Sequence, residues 1–175
     1  MLGRSIRSAT ILLVCSLLFV VGGVASANSI NIMVIGASNA NGKGVFSNEA
    51  WPAVLESMLK SKGYDAHVSV HAINGLTSTQ IVSYTSSIPA GTQVVIFDTG
   101  IANDHRHNVS AAQTAANEAE IVRGIRAHGA VAIKAPYGNG GGRFPKQGDG
   151  EHFTPAGHRM IAGILVPRVI AAARR

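Results

Sequence analysis

Ile32-Met33-Val34-Ile35-Gly36-Ala37-Ser38-Asn39-Ala40-Asn41 decides the fold. An unbroken apolar run describes a strand buried on both faces, as in a parallel sheet covered by helices. The run stops at a glycine and passes into small, turn-forming residues centred on Ser38. Such a segment carries one hydroxyl to the carboxyl edge of a sheet, where open α/β folds hold their ligands. A serine after a strand often only opens a turn or caps a helix. Ser38 therefore needs support from elsewhere in the chain.

Behind this strand, which reads from Ser29 to Ile35, lies a segment of another kind. Arg4 and Arg7 precede an uncharged apolar run from about Ala9 to Val21, then Gly22-Gly23 and Ala25-Ser26-Ala27. This is the pattern of a signal peptide over residues 1–27, cleaved after Ala27, and it predicts an exported protein, periplasmic or secreted, with no stable membrane insertion after cleavage. The only cysteine, Cys15, falls inside the apolar run. The mature chain then has no thiol or disulfide chemistry.

Ahead of Ser38, Asn39–Ser47 reads as a loop. Trp51, Val54, Leu55, Met58 and Leu59 follow at helical spacing, closed by Lys60, Lys62 and Gly63. Ala66–Ala72 alternates as an edge strand, with His67 and His71 beside Ser69 as surface residues. A turn at Ile73–Leu76 leads to a short helix, Thr77–Ser87. Thr92–Thr99 is apolar and β-branched, the mark of a central strand, and Gly100–His105 reads as the loop at its carboxyl end. A helix over Ser110–His128 is expected to turn Ala112, Ala115, Ala119, Val122 and Ile125 inward. Ala130–Ala135 is another strand, Pro136–Arg143 a glycine-rich loop, and Thr154-Pro155 caps a last helix in which Pro167 predicts a bend. Strands and helices alternate about four times without repeat or linker. The expectation is an α/β fold, a parallel sheet with helices on both faces, in one domain over residues 28–175.

The support for Ser38 lies near the other end, in Asp149-Gly150-Glu151-His152. A serine hydroxyl is a poor nucleophile until a base takes its proton, and that base needs a third group to fix its tautomer. Asp149 and His152, three residues apart, suit these roles if their loop folds back onto Ser38. A tetrahedral intermediate also needs fixed donors for its oxyanion. The backbone N–H groups of Ser38 and Gly75 and the side-chain amide of Asn103 are candidates, all placed at carboxyl ends of strands.

Four blocks, Gly36-Ala37-Ser38-Asn39, Gly75, Ile101-Ala102-Asn103-Asp104 and Asp149-Gly150-Glu151-His152, stand in the order found in the SGNH hydrolases (GDSL esterases and lipases). The resemblance covers essentially the whole mature chain. It implies Ser38 as nucleophile, His152 as base, Asp149 as its partner, and Ser38, Gly75 and Asn103 as the oxyanion hole. It also implies a flavodoxin-like three-layer α/β/α sandwich with a parallel sheet of four to five strands. Two positions depart from the pattern: Ala37 replaces the aspartate that often precedes the serine, and Gly100 lies one residue earlier than the glycine of the third block. Ala40 breaks the Gly-x-Ser-x-Gly elbow, which argues against an ordinary α/β-hydrolase.

Other chemistries find less support. The formal charge is +6, and +4 without Arg4 and Arg7, but the basic residues are scattered and not interleaved with aromatics, so nucleic acid is not an expected partner. No H-E-x-x-H or similar spacing joins His105, His107, Asp149 and His152 into a metal site, and no cofactor is expected. His105, Arg106 and His107 read as a solvated loop beside Asn103, and His158 as a packing or capping residue. The reading is a serine esterase acting through an acyl-enzyme on small-molecule or polysaccharide-linked esters, with short acyl groups on sugars or aryl alcohols. The alternatives are a polysaccharide O-acyltransferase with the same triad, or a non-catalytic ligand-binding module.

Overall fold

A computed structural model of the chain describes residues 29–137 and 142–175. The expected signal peptide and residues 138–141 of the glycine-rich loop lie outside them. β1 (Ser29–Gly36) is flanked by β2 (Asp65–Ala72) and β3 (Val94–Phe97), and β4 (Val131–Lys134) lies beyond β3. The order is β2-β1-β3-β4 with all neighbours parallel. Ile30, Ile32 and Val34 are buried on one face of the sheet, Met33 and Ile35 on the other, which is why the run shows no polar alternation.

On the first face lie α2 (Trp51–Ser61) and α6 (Pro155–Ala173); on the second lie α3 (Ser78–Ser83) and α5 (Ala111–Ala127). The result is the expected three-layer α/β/α sandwich. α2 buries Trp51, Leu55 and Leu59, the stripe its spacing predicts, and ends where Gly63 takes a φ of 84°. α6 starts with Thr154 accepting from the Gly157 N–H and runs helical through the exposed Pro167. The chain leaves β1 for β2 on one side and returns to β3 on the other. The carboxyl ends of β1 and β3 therefore bound a crevice at the point of reversal.

Four expectations change. Gly100–His105 is not a loop: Gly100, at φ 64°, starts a helical turn, α4 (Ile101–Arg106). The Asn39–Ser47 loop likewise opens as a helical turn, α1 (Ser38–Asn41). α5 does not turn Ala112, Ala115 and Ala119 inward; these are exposed, and Thr114, Asn117, Ile121 and Ile125 are buried instead. Alanines are too small to define a face, whereas Thr114 and Asn117 have buried partners described below. The expected helix Thr77–Ser87 also tightens to a 3₁₀ turn over Tyr84–Ser87, where Ser83, Thr85, Ser86 and Ser87 each donate to the carbonyl three residues back. On β2, His67, Ser69 and His71 are exposed together on the α3/α5 side, which those helices do not cover.

Candidate active site

Ser38 is set by the sharp passage from β1 to α1. A side chain at Gly36 would put its Cβ 2.8 Å from the Asp98 Cβ and 2.9 Å from the Ala40 Cβ, so only glycine lets β1 end this close to β3 and α1. Ser38 follows at the start of α1, 6% exposed.

The Asp149–His152 segment is the tip of a hairpin. Lys146 and Phe153 pair antiparallel, the Gln147 N–H donates to the His152 carbonyl at 2.7 Å, and Gly150 turns the chain at φ 68°. Gln147 Nε2 also donates to the Lys43 carbonyl at 2.9 Å, tying the hairpin to the chain just beyond α1. Phe153 packs edge-on against Tyr137 and Phe144, anchoring the hairpin in the apolar layer. These links fold the loop back as the triad reading requires.

They bring His152 Nε2 to 2.9 Å from Ser38 Oγ and His152 Nδ1 to 2.6 Å from Asp149 Oδ2. The tautomer that satisfies both carries its proton on Nδ1 and accepts from the serine hydroxyl on Nε2. Asp149 Oδ1 accepts from the backbone N–H groups of Glu151 and His152, each at 2.9 Å. The His152 bond first, and then these two N–H groups, hold the Asp149 carboxyl well below the usual carboxylate range. His152 is 4% exposed, whereas the Asp149 side chain is 47% exposed. The imidazole is thus shielded while its partner keeps solvent contact.

Asn103 stands on α4 and is buried. Its Nδ2 donates to the Leu76 carbonyl at 2.8 Å, and its Oδ1 accepts from Arg106 Nη1 at 3.0 Å. The displaced glycine explains itself here: a Cβ on Gly100 would lie 2.4 Å from the Leu76 oxygen. Gly75, at φ 90°, forms the turn after β2 beside Leu76. It sits at the same sheet edge but does not line the cleft over Ser38. Asp104, next to Asn103, is buried and turns away from the cleft. Its carboxyl accepts from the Ser78 N–H at 2.7 Å and the Thr114 hydroxyl at 2.6 Å.

The cleft over Ser38 has a volume of about 370 Å³, and Asp98, Asn103, Arg106, Tyr137 and Lys146 are among its walls. The sequence pattern alone marks no site role for Asp98, Tyr137 or Lys146. The one signal for Asp98 is an acidic residue where the apolar β3 run reaches the sheet edge. Burial pushes its carboxyl up, against the Gly100 and Ala37 N–H groups, and burial followed by the Asp98 charge pushes the Tyr137 phenol well above its ordinary value. His158 lies deeper, its Nδ1 accepting from the Trp51 N–H at 3.1 Å, so it caps α2 as a neutral imidazole. Burial lowers its pKa to about 4. Among the described residues, no group of three or more His, Cys, Asp and Glu side chains gathers as a metal site would require.

The layers, the sheet order and the serine at the end of β1 define the fold of the SGNH/GDSL hydrolases. No protein-family model and no curated protein matches the sequence itself. Among solved structures, TesA superposes with a TM-score of 0.70 at 22% identity, over 81% of this chain and 99% of that one. A family 3 carbohydrate esterase of Clostridium thermocellum gives 0.62 at 17%, over 83% and 99%. AlinE4, an SGNH-hydrolase family esterase, gives 0.56 at 19%, over 83% and 73%.

Proposed function

We propose that the protein is an exported serine esterase that hydrolyses carboxylic esters through an acyl-enzyme on Ser38. The observation that carries this reading is the continuous chain from Ser38 Oγ through both nitrogens of His152 to Asp149. His152 takes the hydroxyl proton as Ser38 attacks the ester carbonyl, and Asp149 stabilises the imidazolium. The oxyanion is received by the Ser38 N–H and by the Asn103 N–H left over from the Leu76 contact. His152 then returns the proton to the leaving alcohol, and water attacks the acyl-enzyme by the same route in reverse.

A cleft of about 370 Å³ favours short acyl groups on sugars or aryl alcohols over long lipid chains, and the likeness to a carbohydrate esterase favours the sugar esters. Export rests on the Arg4–Ala27 pattern, with release into the periplasm or medium after cleavage.

The test is hydrolysis of p-nitrophenyl acetate and longer homologues by the mature protein and by Ser38→Ala. The expected loss for Ser38→Ala is about 10³-fold or more, with fluorophosphonate labelling abolished. A mature protein that is inert and unlabelled would sink the reading and leave a binding role.

A further inference from the structure

Arg106 closes α4 one turn after Asn103 and makes two attachments, one within α4 and one across the cleft. Nη1 donates to Asn103 Oδ1, and the guanidinium also forks onto both carboxylate oxygens of Glu151. Glu151 belongs to the hairpin tip whose N–H groups grip Asp149. One cation therefore joins the wall holding the asparagine amide to the wall holding the triad loop, two segments 45 residues apart in sequence.

The amide of Asn103 could present either end to the cleft, and only its N–H end can receive an oxyanion. Two partners decide the matter by being opposite in kind. The Leu76 carbonyl has no donor and takes only Nδ2; the guanidinium has no acceptor and takes only Oδ1. A cation on the amide oxygen also polarises the group and strengthens its free N–H as a donor. Glu151 matters because an exposed arginine with one contact would wander, while a forked carboxylate fixes its plane.

We propose that Arg106 is a positioning residue of the oxyanion hole, locking the Asn103 amide with its N–H toward the reacting carbonyl, and that Glu151 holds Arg106 in that pose. The proposal rests on the esterase reading and on Asn103 as an oxyanion donor. Its signature is a loss in kcat with KM nearly unmoved, because the amide binds the oxyanion and not the ground-state ester.

The experiment is steady-state hydrolysis of p-nitrophenyl acetate by the wild type, Arg106→Ala, Glu151→Gln, Asn103→Ala and the double variant Arg106→Ala/Asn103→Ala, with thermal melting of each. Arg106→Ala is expected to lower kcat about tenfold and Glu151→Gln about threefold, with KM within twofold. In the Asn103→Ala background, Arg106→Ala should cost nothing more, since it acts only through that amide. Equal losses in both backgrounds overturn the proposal, as does a kcat within twofold of wild type. A raised KM with unchanged kcat also overturns it and makes Arg106 a substrate contact. If Arg106→Ala does not fold, the same cycle run with Glu151→Gln decides by the same criteria. An inert wild type is a different failure, since it removes the esterase reading beneath the proposal.

Discussion

The two helical layers are joined to the sheet by different means. The α2/α6 layer is apolar and aromatic, with Trp51, Leu55, Leu59, Phe153, Ile161 and Leu165 packed on Ile30, Ile32 and Val34. The α3/α5 layer is apolar only around Ile81, Ile121 and Ile125. Toward the carboxyl edge of the sheet it becomes a buried polar network. There Asp104 holds Ser78 and Thr114, and Asn117 donates to the hydroxyls of Ser78 and Thr79 at 2.8 and 2.9 Å. Apolar packing is forgiving in direction, whereas hydrogen bonds fix an element's angle and register. The directional layer lies under α4, which carries Asn103. The forgiving one lies under the hairpin, whose own backbone bonds set His152.

The largest effect on stability is expected from the forgiving side. Leu165→Ala removes a fully buried side chain from the middle of α6 and should destabilise by about 2–5 kcal/mol in a denaturant titration. The activity of the molecules that remain folded should stay within about twofold, because no bond that orients the site is touched. A kcat loss larger than about tenfold per folded molecule would show that the apolar layer also sets site geometry.

His158 is the exception within that layer, a buried imidazole among aromatic rings, and it makes the layer sensitive to acid. Its folded pKa of about 4 lies below the ordinary value of 6.5, so the unfolded chain binds more protons between those pH values. Its contribution is complete above about pH 6.5 and is lost as pH falls toward 4, up to roughly 3 kcal/mol across the window. Asp149 has a depressed pKa as well, but its contribution is lost only at still lower pH, as its own carboxyl protonates. The melting temperature should therefore fall between pH 6.5 and 4 in the wild type and much less in His158→Gln, which holds no ionisable group there. Equal slopes in the two proteins would remove His158 from the account.

The same contrast separates what was legible in the sequence from what was not. β1 announced itself through an unbroken apolar run, α2 through large side chains at helical spacing, and the hydrogen-bonded grouping of Ser38, His152 and Asp149 through residue types that each need the others. All of these are local patterns or known chemical requirements. The face of α5 was not legible, because its alanines suit either side and its buried Thr114 and Asn117 are explained only by Asp104 and Ser78, which approach from elsewhere in the chain. α4 read as a loop because Gly100, Asn103 and Asp104 are turn formers. It is helical because Asp104 is pinned at both oxygens, a tertiary fact. Arg106 and Glu151 are unremarkable singly, and nothing in either segment names the other. Gly75 could be placed at the correct sheet edge from sequence, but not in or out of the cleft.

Asp104→Asn is the narrowest break, because it keeps the shape of the side chain and changes one oxygen from acceptor to donor. The Ser78 N–H and the Thr114 hydroxyl each face a separate oxygen, so the amide can satisfy the backbone donor only by turning its NH₂ on Thr114, whose hydroxyl would have to reverse. That hydroxyl can turn its proton onto the Ser110 carbonyl at 3.2 Å, so what Asp104→Asn removes is the charge of the acceptor on both bonds. The expected cost is about 2 kcal/mol, in the range for hydrogen bonds to charged groups and below that of Leu165→Ala. The effect on turnover should run the other way. Releasing α4 from α3 and α5 lets Asn103 drift from the Leu76 carbonyl, so kcat per folded molecule should fall several-fold, with KM little changed. Measured on matched folded fractions, a stabler variant that is less active than Leu165→Ala would mean that the polar layer positions the site and the apolar layer only supports it. If activity instead tracks stability alone in both variants, the two layers do the same work and the distinction fails.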